Sequence, residues 1–96
     1  MLIEIKKLNI LNDGYKRKVS LDRMYVNADN IVSITDYPGA TTFLLRENLG
    51  SSVSEGNYSL IKLNQGARVE EIIAFGSAEE LYKSFTRPEG KKLLND

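Results

Sequence analysis

Cysteine, histidine and tryptophan are absent from all 96 residues. The first two absences remove the usual zinc ligands, the thiol nucleophile and the commonest general base together. Any catalytic chemistry would have to come from Tyr, Lys or carboxylate side chains, and no spacing among them asks for it. The expectation is a protein that is not an enzyme and needs no cofactor. With no Trp and only three Phe, the core has to be built mainly from Ile, Leu and Val. Excess charge is missing too, because thirteen Lys and Arg balance thirteen Asp and Glu. The chain as a whole therefore has no electrostatic pull toward nucleic acid or an anionic membrane, and only a local basic patch could supply one. No apolar run approaches the roughly 20 residues that span a bilayer, and Met1-Leu2-Ile3-Glu4 lacks the parts of a signal peptide. A cytoplasmic location without membrane contact is expected, and with it an unglycosylated Asn57-Tyr58-Ser59.

What is present reads as short strands. In LIEIKKLNI, Ile3 and Ile5 alternate with Glu4 and Lys6, the pattern of a half-buried strand. The apolar parity changes at Leu8 and Ile10, which predicts a bulge near Lys6-Lys7 or a strand end by Asn9. Asn12-Asp13-Gly14 is a turn signal. Tyr15, Arg17, Val19 and Leu21 then share one parity, giving a second strand with a kink expected at Asp22-Arg23. The polar run Asn27-Ala28-Asp29-Asn30 is neither a tight hairpin nor a helix. Its length suits about one turn of 3₁₀ helix, with Asn27 or Asp29 capping backbone donors. Such a turn would step the chain sideways into Ile31-Val32-Ser33-Ile34.

Residues 37–57 change texture and read as an insertion: a long loop, or an extra strand at Thr42-Phe43-Leu44-Leu45. Tyr58 to Leu63, the turn Asn64-Gln65-Gly66 and the returning Val69 to Phe75 form the clearest hairpin, with Val69, Ile73 and Phe75 expected inside. Ser77 with Glu80 is a capping-box signature for SAEELYKSF, whose Leu81, Tyr82 and Phe85 line one face. The predicted fold is mainly β: a small twisted antiparallel sheet or partly open barrel of about five to six strands with one short C-terminal helix. It forms one β-rich domain over 1–87, and 88–96 is expected to fray.

Leu8-Asn9, Val26-Asn27-Ala28-Asp29-Asn30-Ile31 with Ile34, Tyr58-Ser59-Leu60-Ile61-Lys62-Leu63 with Gly66, Val69 and Glu71, and the closing Glu79-Glu80-Leu81 resemble the small flagellar FlbD family. Short β-rich phage proteins of unassigned role are similar. The resemblance implies a compact twisted sheet with a C-terminal helix and a phage or bacterial source; the family offers no catalytic residues to carry over. Segment 37–57 replaces a short connection there.

Candidate binding residues fall into two groups. Lys16-Arg17-Lys18, with Arg23, could contact phosphates, or could be the solvated charges that keep an edge strand from pairing. In the insertion, Thr41, Thr42, Ser51 and Ser52 offer hydroxyls, Arg46 a guanidinium fork, and Tyr37 and Phe43 stacking rings. The leading expectation is an adaptor that self-associates through strand edges and acts by stoichiometric contact with a protein. The alternatives are an oligomeric sponge holding a nucleotide-like signalling ligand, in the manner of phage anti-defence proteins, and a nucleic-acid-binding module.

Overall fold

The computed structural model describes residues 1–12, 14–15, 17–47 and 56–86. Among them are five strands and two α-helices: β1 (Leu2–Asn12), β2 (Arg17–Asn27), β3 (Ile31–Asp36), α1 (Pro38–Glu47), β4 (Tyr58–Asn64), β5 (Val69–Phe75) and α2 (Ala78–Thr86). All strands pair antiparallel in one open sheet of order β2-β1-β5-β4-β3. The predicted mainly β fold is the observed one, with a second helix added.

The joint at Asn27 explains how the sheet is shaped. Ala28–Asn30 form a 3₁₀ turn, and the Asn27 side chain accepts the Asp29 N–H at 3.0 Å. The turn links β2 directly to β3, yet these two strands are the opposite edges of the sheet. Three residues span that gap only because the sheet curls and brings its edges together at this end. The Ala28 N–H donates to the Met1 carbonyl at 2.9 Å and fastens the start of β1 to the corner. Met24, Val26, Ala28 and Ile31 consequently share a core with Ile61 and Leu63 of β4.

The parity change in β1 has a different cause from the bulge expected there. Strand β1 runs without interruption from Leu2 to Asn12, in unbroken register with β2 from Leu2↔Asn27 to Asn12↔Arg17. No kink interrupts β2 at Asp22-Arg23 either, since both residues sit in that register. The core changes side instead. On the inner face, Ile3, Ile5, Val26, Ile61, Leu63, Ile72 and Ala74 pack with Leu81 and Phe85 of α2. On the outer face, Leu8 joins Ala40 and Leu44 of α1 and Tyr58. One strand thus serves two layers, inner side first and outer side later, which a flat alternation cannot encode.

Two further expectations need correction. Thr42-Phe43-Leu44-Leu45 is helical and not a strand, because Pro38 stands at the first helical position and Ala40, Phe43 and Leu44 recur at helical spacing. Leu44 is completely buried against the sheet. In β5 the buried residues are Ile72 and Ala74, whereas Val69 and Phe75 are exposed. Pairing Ile72↔Ile61 and Ala74↔Ser59 turns the even positions toward α2. Ile73 is half-buried on the outer face beneath α1. Of the three residues predicted to line α2, Leu81 is buried, Phe85 half-buried and Tyr82 exposed.

Candidate functional site

The capping box at the start of α2 forms as its sequence predicts. The Glu80 N–H donates to Ser77 Oγ at 3.1 Å, and the Ser77 N–H donates to Glu80 Oε1 at 2.9 Å. That backbone bond is the main reason the Glu80 carboxyl is held below its ordinary range, with the Ser77 side chain adding to it. Asp36, the last residue of β3, accepts the Ala78 N–H at 2.8 Å. The same acid therefore ends the edge strand and ties it to the helix.

Two concavities lie on either side of this tie. The first, about 520 Å³, is lined by Asp36, Tyr37, Pro38, Thr41, Thr42, Asn57, Tyr58 and Ser77. It holds three of the predicted residues, Tyr37, Thr41 and Thr42. Thr41 is already engaged, donating its hydroxyl to the Gly56 carbonyl at 2.8 Å. Gly56 has no room for a side chain, since a Cβ there would come within 2.2 Å of the Phe75 ring. Phe75 in turn meets Tyr58 edge to face, centroids 5.5 Å apart. Burial pushes the Tyr58 phenol up, so it stays protonated at neutral pH. Among the described residues the lining holds no cation, and its one carboxylate is Asp36.

The predicted arginines are elsewhere. Arg46 sits 5.9 Å and Arg17 5.6 Å from the centroid of the Phe43 ring, forming a cation-aromatic cluster where the end of the β1–β2 hairpin meets α1. Phe43, Gly39 and Ala40 line a separate apolar cleft of about 240 Å³ with Leu8, Ile10, Tyr37 and Ile73. Thr41 and Thr42 line the first concavity, whereas neither Arg17 nor Arg46 is among its lining residues. Arg23 pairs with Glu4 at 3.3 Å, while Lys18 points to the opposite side of β2 from Arg17 and Arg23. The basic run is split across two faces. Lys16, Ser51 and Ser52 lie outside the described residues. No group of three acids that could hold a metal occurs among the described residues.

The second concavity was not foreseen. A groove of about 460 Å³ runs between the edge strand β3 and helix α2, lined by Ile31, Val32, Ser33, Ile34, Ala78, Glu79 and Tyr82. The β3–β4 register shifts between Ile31 and Ser33, leaving Val32 in a bulge and 59% exposed. A bulge of this kind re-aims a side chain, here into the groove. Tyr82 is 62% exposed on the opposite wall. One sequence signal was available: the six residues of β3 contain no Lys or Arg, unlike those of β2.

No helix among the described residues is long and apolar enough to cross a membrane. Comparison of the chain with protein-family models, curated proteins and solved structures finds no match.

Proposed function

We propose that this protein is a binding module without catalytic activity, which receives an extended segment of a partner protein as an additional strand along β3. The observation that carries this reading is the apolar groove beside a sheet edge that carries no charge before Asp36. An edge strand presents unpaired backbone donors and acceptors, which supply affinity to any extended chain laid against it. The groove supplies the selectivity: a side chain of the incoming strand would enter between Val32, Ile34 and Tyr82. The wall opposite β3 is fixed in place by the Asp36–Ala78 bond and by Leu81, which anchors α2 in the core.

The two alternatives draw less from the geometry. A phosphate-bearing ligand would find an acid in the larger concavity and its candidate arginines elsewhere. Nucleic acid would meet the basic run of β2 on two opposed faces.

Selection of extended hexapeptides from a displayed random library on the immobilised full chain tests the reading. Enriched peptides are expected to lose at least about tenfold in affinity on Val32→Lys, roughly 1.4 kcal/mol. That exposed change should alter folding stability by no more than about 0.5 kcal/mol. A library yielding no enriched peptide, or peptides that bind Val32→Lys unchanged, would refute it.

A further inference from the structure

The groove has a charged end, and its sign selects the occupant. The inference rests on the strand-addition reading just given and names the chemistry of the strand that is added. Where β3 meets α2, Asp36 at the strand end accepts the Ala78 N–H, and Glu79 and Glu80 follow in the first helical turn. Glu79 itself lines the groove. Against them stand Lys83, which lies 2.8 Å from Glu79, and the helix N-terminus, equivalent to roughly half a positive charge. Among the described residues the sum remains negative. A fourth acid, Asp29, sits in the 3₁₀ turn that leads into the other end of β3.

Between these ends the lining is largely apolar: Ile31, Val32, Ile34, Ala78 and Tyr82. Six residues of β3 at about 3.3 Å each give a binding edge of roughly 20 Å, room for a stretch of about six extended residues. We infer that the segment received by this groove is basic and apolar in alternation: a branched or aromatic side chain seated against Val32 and Tyr82, and a Lys or Arg placed at the Asp36–Glu79–Glu80 end. Exposed carboxylates such as these act mostly on encounter and choice of partner, and their influence weakens as salt rises. The apolar contact and the backbone ladder hold the complex once formed.

Three fluorescent hexapeptides with one shared apolar centre and either Lys, Gln or Glu flanks, titrated into the full chain at low and at high salt, give the test. The Lys-flanked peptide is expected to bind about tenfold tighter than the Gln-flanked one at low salt, a difference of roughly 1.4 kcal/mol. The Glu-flanked peptide should be the weakest, and high salt should narrow the order. Glu79→Lys should invert the preference between Lys and Glu flanks while leaving the circular dichroism spectrum unchanged, and Glu79→Gln should reduce it. Equal affinity of the three peptides, or a preference that Glu79→Lys does not move, would overturn the basic assignment and leave the strand-addition reading standing. Failure of all three to bind, where library-selected peptides of other composition do bind at β3, would overturn it likewise. Failure of every peptide from either source would remove both.

Discussion

The two edges of this sheet are built to opposite specifications. Strand β2 is long and carries Arg17, Lys18, Asp22 and Arg23 along its exposed length, the charges with which natural sheets discourage further pairing. Strand β3 is short and has no charge before Asp36. It sets the exposed Val32 beside an apolar groove. Both edges meet at the same corner, the 3₁₀ turn at Ala28–Asn30, so one stretch of chain passes from a protected edge to an open one within three residues. The difference teaches where contact is made: an edge left unprotected in a sheet that protects its other edge is the one to which binding is assigned.

The severest way to break the comparison is to remove what both edges share. Ile61 is fully buried at the centre of the inner core. Ile61→Ala should cost about 2–5 kcal/mol in urea unfolding and weaken both edges together, because transfer and cavity terms add. Ser77→Ala sharpens the contrast by acting on one edge. Loss of this helix cap should cost about 1 kcal/mol and loosen the α2 wall of the groove, reducing peptide affinity while β2 is unaffected.

The same cap has a pH signature. Because the Glu80 carboxyl is lowered in the folded chain, its contribution is fully present above the unfolded-state value and is lost as pH falls through the lowered folded value. Thermal melts should therefore show an acid limb that Glu80→Gln flattens. Smallest in stability is Arg23→Val on the protected edge. Its exposed pair with Glu4 is worth about 0–1 kcal/mol, but removing the charge should make sedimentation concentration-dependent by giving the sheet a second adhesive edge. If association does not increase, the protective role assigned to β2 is wrong.

Much of this architecture could be read directly from the residues. Asn27-Ala28-Asp29-Asn30 announced its 3₁₀ corner, Ser77 and Glu80 their capping box, and Tyr58 to Phe75 their hairpin, because each depends on near neighbours in the chain. What escaped depends on distant partners. The side on which β5 is buried follows from its pairing with β4 and its cover by α2, so Ile72 and Ala74 took the place predicted for Val69 and Phe75. Helix α1 was hidden because Thr42 and Phe43 favour strands, a preference overruled by Pro38 and the burial of Ala40 and Leu44. The candidate site was the least legible part. Thr41 and Thr42 line a concavity whose lining does not include the nearby Arg46, whereas the groove joins residues 31–34 to 78–82 across an edge that only the folded sheet defines.

Amide hydrogen exchange followed by mass spectrometry, with and without the Lys-flanked hexapeptide, addresses the open edge most directly. The account predicts that the peptide slows exchange in residues 31–36 and leaves residues 17–27 unchanged, as an added strand closes the β3 ladder. Slowing in 17–27 instead, or binding that slows neither segment, would contradict it.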